Sequence, residues 1–171
     1  HYPCRGVGRV VEAQVVQVAP PEAVDAIVYA PSNPLQDFTP FTRARIVQSL
    51  WAGVERVVGN PTLTQPLCRM VDPGLTEGMV EYVTGHVLRH HLGMDRWIAG
   101  APGWQQIAPP LARDRVVAML GVGALGLACA EALAALNFRV EGWARGPKPG
   151  LPLPCHHGEA GLRDLLSRAD V

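Results

Sequence analysis

The segment Gly121-Val122-Gly123-Ala124-Leu125-Gly126 has the residue types and spacing that speak most directly of chemistry. Gly121 allows a sharp turn. Gly123 has no Cβ, so a pyrophosphate can approach the backbone, and Gly126 lets a helix pack closely on a strand. The N-terminus of the helix that follows offers free N–H groups and positive potential to phosphates, with Ala124 and Leu125 among the expected cofactor-binding residues. G-x-G-x-x-G alone is a weak signal, and its context gives it weight. A strand precedes it (115–120), an alanine-rich helix follows (127–136), and a second strand comes next (138–143). That order is the setting of a dinucleotide-binding fingerprint rather than of a merely structural glycine turn. Cofactor choice is read at the end of the second strand, where an acid would bond a ribose 2′-hydroxyl. Here the tip reads Trp143-Ala144-Arg145-Gly146, and Glu141 falls two residues early, within the strand. Arg145 suits a 2′-phosphate through paired charge-assisted hydrogen bonds, with Lys148 assisting, so the expected cofactor is NADP(H).

Other reactive side chains point to less. His86 and His90 are four apart on a helical stretch, but no Cys or carboxylate is placed to complete a metal site, and none is expected. With His91, they read as surface or dimer-contact residues, and His156-His157 as a solvated pair in a loop. Cys4, Cys68, Cys129 and Cys155 form no C-x-x-C pair and read as reduced thiols of a cytoplasmic protein.

These residues must be positioned by a chain of 171 residues with 15 basic and 15 acidic side chains. Zero net charge without a basic block disfavours nucleic acid and anionic membrane surfaces as partners. A hydrophobic content of 48% supports a packed core, and 18 glycines with 16 prolines suit strand–loop–helix joints. The N-terminal residues lack an apolar signal-peptide core. The uncharged run 116–130 is too short for a membrane helix and is explained as strand, turn and helix start. Strands are expected at 15–18, 26–30, 45–50 and 66–71, a short helix opening at 51–55, a long helix over 75–95 and a last one over 158–169. Asp72 or Thr76 would cap the long helix. The Gly/Pro-rich stretch 99–112 reads as a linker. Strand candidates about 20 residues apart imply βα units and parallel sheets.

Three motifs in order carry a resemblance: Ser49-Leu50-Trp51-Ala52-Gly53-Val54-Glu55, Val71-Asp72-Pro73-Gly74 running on to Val83, and the fingerprint with Gly142-Trp143-Ala144-Arg145. From about Asp25 onward the chain resembles the D-isomer-specific 2-hydroxyacid dehydrogenases, most closely their NADPH-using glyoxylate/hydroxypyruvate reductase branch. The resemblance implies an α/β protein: an incomplete flavodoxin-like substrate lobe (1–98, with the connecting helix), the linker (99–112), and the first half of a Rossmann domain (113–171). It implies hydride transfer from a nicotinamide to a small 2-keto acid. By it, backbone N–H groups of Ala52 and Gly53 hold the substrate carboxylate, which agrees with small residues at a strand's carboxyl end. Trp51 walls the pocket, and reads equally as a core aromatic at a strand end. Met79 faces the cleft, or is a plain core methionine. Trp104 reaches the partner subunit's site in a homodimer formed through the 75–95 helix and the Rossmann lobe. The family's catalytic Arg, His and acid fall after Val171, so no catalytic residue is assigned and the chain reads as truncated. Another 2-hydroxyacid dehydrogenase, a non-catalytic dinucleotide sensor and an inactive remnant are the alternatives.

Overall fold

A computed structural model describes residues 14–100 and 103–171. Cys4 and residues 101–102 of the expected linker lie outside the described residues. The chain divides into two compact units, one up to Val71 and one from Asp72. Each is built on its own parallel three-stranded sheet.

The first unit's strands are β1 (Ile27–Tyr29), β2 (Val47–Ser49) and β3 (Leu67–Cys68). They pair in chain order, with Ile27 opposite Val47 and Val47 opposite Leu67. Ile27, Tyr29, Phe38, Ala44, Val47 and Val57 form the core. Tyr29 meets Phe38 edge-on at 5.4 Å. No helix connects these strands. Side chains satisfy the loop backbone instead: Thr62 Oγ1 accepts the Phe38 N–H at 2.9 Å, Asn60 Nδ2 donates to the Gln36 carbonyl at 2.8 Å, and Gln65 Nε2 donates to the Phe41 carbonyl at 3.0 Å. The strand expected at 15–18 is instead coil, with Val15 and Val18 exposed. Among the described residues it has no strand to pair with, and β-branched residues alone do not make a strand. Nor does a helix open at 51–55. After two bends, one turn closes on the Val54 carbonyl, because Gly53 and Val54 are poor helix formers.

The second unit contains α1 (Pro73–His91), α2 (Met94–Ile98), β4 (Val116–Leu120), α3 (Ala124–Ala135), β5 (Arg139–Ala144), β6 (Cys155–His157) and α4 (Gly158–Arg168). Asp72 caps α1: its carboxylate accepts the Gly74 N–H at 2.9 Å, and Pro73 sits where its missing N–H costs nothing. The helix expected over 75–95 breaks at Gly93, whose φ of 61° leaves the helical region. Val87 of α1 shares a core with Val117, Ala130, Leu133, Phe138 and Val140, so α1 packs within this unit.

Strand order is β4-β5-β6, all parallel. Val117 and Val140 face α3 and α1. The opposite face, with Val116, Glu141 and Trp143, is covered by α4, whose Leu165 is fully buried. The sheet therefore carries helices on both sides, as a doubly wound fold requires. Beyond α4, Asp170-Val171 pair with β4 on its edge away from β5, where the Ala118 N–H donates to the Val171 carbonyl at 2.8 Å. Asp170 also accepts the Val116 N–H at 2.8 Å and Arg115 Nη1 at 2.7 Å, the backbone bond first among the causes that lower its carboxyl below the usual range. No described helix is long and apolar enough to cross a membrane.

Candidate functional site

β4 ends in the fingerprint loop, and each glycine there has its own reason. Gly121 holds φ +108°, which only glycine adopts without strain, and its N–H donates to the Trp143 carbonyl at 2.9 Å. A Cβ on Gly126 would lie 1.8 Å from the Gly121 carbonyl oxygen, so helix and turn touch backbone to backbone. Gly123 differs. Its φ is an ordinary −83°, and a Cβ would meet nothing within 4 Å. The fold itself does not need a glycine there, whereas a ligand approaching the backbone does.

Helix α3 begins at this bare position with no side-chain cap and no acid in its first turn. The N–H groups of Ala124, Leu125 and Gly126 have no partner among the described residues. With the helix dipole behind them they form a phosphate cradle. Beside it is a hollow of about 310 Å³ lined by Gly121, Gly123, Trp143, Arg145, Gly146 and Lys148, among others. Arg145 makes no hydrogen bond or ion pair with any described residue. Lys148, arching back from the loop after β5, donates from Nζ to the Val122 carbonyl at 3.3 Å. The cradle is thus open and unpaired on the ligand's side, with one uncommitted cation at its rim.

Glu141 faces away from this hollow, towards α4. Arg168 donates to it from both terminal nitrogens, at 2.5 and 2.6 Å, and His156 Nε2 lies 2.8 Å from its Oε2. The Arg168 hydrogen bonds, opposed by burial and joined by His156, hold the Glu141 carboxyl down to about 2. His156 is therefore not the solvated loop residue expected. It lies on β6, a strand too short and too polar to read from sequence. His91 is likewise buried rather than on the surface, meeting Phe138 edge-on at 4.9 Å. His86 lies against Tyr82, ring centroids 4.3 Å apart and tilted by 49°. No group of three His, Cys, Asp or Glu among the described residues could hold a metal ion.

The substrate-side candidates fall in both units. After β2, the buried Ser49 hydroxyl accepts the Trp51 N–H and donates to the Trp51 carbonyl, each at 3.1 Å. That leaves the N–H groups of Ala52 and Gly53 unpaired among the described residues, as an anion cradle requires. The Glu55 carboxylate crowds Gly53, lying 2.8 Å from where a Cβ would stand. Trp51 is 45% exposed, against the alternative of a core aromatic. Met79 and Trp104 belong to the second unit. Met79 is half-buried on α1, and its carbonyl accepts the Cys129 thiol at 3.7 Å. Trp104 is 86% exposed. Ser49 was missed as a positioning residue, although a small polar residue ending a buried strand is a readable signal.

Cys68 is disulfide-bonded, whereas Cys129 and Cys155 are free. Reduced thiols throughout were expected because the cysteines are far apart in sequence. Disulfides need proximity in space, so the spacing argument for a reducing compartment falls.

Comparison with known proteins places this arrangement. Glyoxylate/hydroxypyruvate reductase A of Photorhabdus laumondii is 35% identical over 131 residues, 71% of this chain and 42% of that protein. A D-isomer-specific 2-hydroxyacid dehydrogenase from Xanthobacter autotrophicus Py2, solved with NADPH and MES, is 31% identical with a TM-score of 0.73, over 89% of this chain and 49% of that one. This chain is similar to the D-isomer-specific 2-hydroxyacid dehydrogenases. An NADPH-dependent glyoxylate/hydroxypyruvate reductase from Sinorhizobium meliloti, solved with NADP and sulfate, agrees at 32% identity and a TM-score of 0.68. No family model matches. The chain spans between two-fifths and half of the length of these dehydrogenases.

Proposed function

We propose that the second unit binds NADP(H), and that the protein to which this chain belongs reduces a small 2-keto acid of the glyoxylate or hydroxypyruvate type to its 2-hydroxy acid. The observation that carries the cofactor reading is the contrast at the end of β5. Arg145 is unpaired at the rim of the hollow, while Glu141 is locked by Arg168 on the other face. A ribose 2′-hydroxyl would find no acceptor there, and a 2′-phosphate would find a guanidinium.

The N–H groups of Ala124, Leu125 and Gly126 hold the pyrophosphate, with Gly121 and Gly123 letting it reach the backbone. Lys148 adds positive charge beside Val122. When bound, the cofactor supplies a hydride. In the first unit Ala52 and Gly53 grip the substrate carboxylate beside Trp51; in the second, Met79 is a substrate-binding residue and Trp104 serves the partner subunit of a homodimer. Exposed apolar residues support such a dimer through α1, α2 and the Rossmann unit: Leu75, Tyr82, Trp97 and Ile98 are 42 to 70% exposed. Catalytic residues are assigned to none of the residues here.

Titration with NADPH and NADH tests the reading. NADPH should bind more tightly, and Arg145→Ala should weaken NADPH by about tenfold or more while sparing NADH. Equal affinities for the two cofactors before substitution would overturn it. NADPH oxidation by the whole protein with glyoxylate or hydroxypyruvate tests the substrate class.

A further inference from the structure

Trp143 is drawn into the hollow by position and yet has no part in the reading above. It is the last β5 residue in register with β4, opposite Leu120. Its main chain and side chain make separate ties. The carbonyl accepts the Gly121 N–H at 2.9 Å, fixing the turn from which the phosphate cradle departs. The indole N–H donates to the Gly158 carbonyl at 2.8 Å, fastening the strand tip to the first residue of α4. Gly158 holds φ +67°, a conformation that aims this carbonyl and that other residues rarely adopt. Two residues on, the chain has left the sheet and carries Arg145. The cradle and the rim cation thus depart from one doubly fastened residue. The far end of α4 is tied separately, by Arg168 to Glu141.

We propose that Trp143 is a positioning residue for 2′-phosphate recognition, its indole anchor holding the β5 tip so that Arg145 stands at a fixed reach from the phosphate cradle. This rests on the NADP(H) reading. Loss of the anchor leaves the cradle in place, because the carbonyl bond to Gly121 is main chain, but lets the tip that bears Arg145 wander. Discrimination should suffer while phosphate binding survives.

The test uses the 171-residue chain and two probes that differ only in the 2′-phosphate: adenosine 2′,5′-bisphosphate and adenosine 5′-monophosphate. Trp143→Phe keeps the aromatic slab and removes the N–H. It should weaken the bisphosphate about fivefold and leave the monophosphate within about twofold. Arg168→Gln loosens α4 at its other end and should leave the ratio of the two affinities unchanged. A ratio unaltered by Trp143→Phe overturns the proposal, as does an equal fall in both variants, which would mark a merely structural role. The intact protein gives a second measurement. If the anchor and the 2′-phosphate site are coupled, the bisphosphate must slow hydrogen exchange of the Trp143 indole N–H more than the monophosphate does. Equal exchange with both probes overturns the proposal even if the variant does not fold. Failure of the unaltered chain to bind either probe overturns the NADP(H) reading itself, and this proposal with it.

Discussion

The two units have the same sheet topology, three parallel strands in chain order, and hold it by different means. In the first, strands of three, three and two residues are joined by loops whose backbone is satisfied by Asn, Thr and Gln side chains. In the second, β4 and β5 run five and six residues, and helices cover both faces. A loop held by side chains depends on a few polar atoms and their partners. A helix-covered sheet depends on close backbone approach and on apolar area. The same fold logic therefore fails at different kinds of residue in the two halves.

That contrast can be broken most sharply at Gly126. Replacement by Ala puts a Cβ where the Gly121 carbonyl stands, and should destabilise the second unit by about 3 kcal/mol or more in denaturant melts. Gly123→Ala should leave stability within about 1 kcal/mol and lower NADPH affinity at least about tenfold, since its Cβ meets open space until a pyrophosphate arrives. If the two variants melt alike, the division between a fold glycine and a ligand glycine is wrong. In the first unit, Thr62→Val strands the buried Phe38 N–H and should cost about 1–2 kcal/mol. Hydrogen exchange should then accelerate over 27–68 and stay unchanged over 116–144. Acceleration in both would show that the units do not open independently.

The smallest effect belongs to the clasp on α4. Glu141 is depressed in the folded state, so it contributes stability that is complete above the ordinary carboxyl range and is lost as pH falls from about 4.5 to about 2. Arg168 is partly exposed, so solvent screening limits the contribution to roughly 1 kcal/mol. Glu141→Gln should remove that part of the acid transition, and an unchanged stability–pH profile would dismiss the clasp.

The same contrast explains what could be read from sequence. β4, α3 and β5 were legible because strand, G-x-G-x-x-G and an alanine-rich run are local signals, and Asp72 with Pro73 announced α1. The first unit's strands were placed, but not its helix-free connections, because pairings such as Thr62 with Phe38 join residues 24 apart. β6 was invisible: it is three residues long and His156 is polar, and it is made by pairing with β5, where Glu141 and Arg168 receive the imidazole. Arg145 could be picked as a candidate from its place at a strand tip. Neither the locking of Glu141 nor the indole tie of Trp143 could be, since both depend on where α4 lies.

The bond from Trp143 to Gly158 also gives the chain an optical gauge. Of its four tryptophans, Trp51, Trp97 and Trp104 are 45, 43 and 86% exposed, whereas Trp143 is sheltered between β5 and α4. A soluble quencher should extinguish the first three and leave a residual emission from one indole. That residual light reports on the strand tip, and its colour and lifetime would follow the state of the pocket rim without any added label.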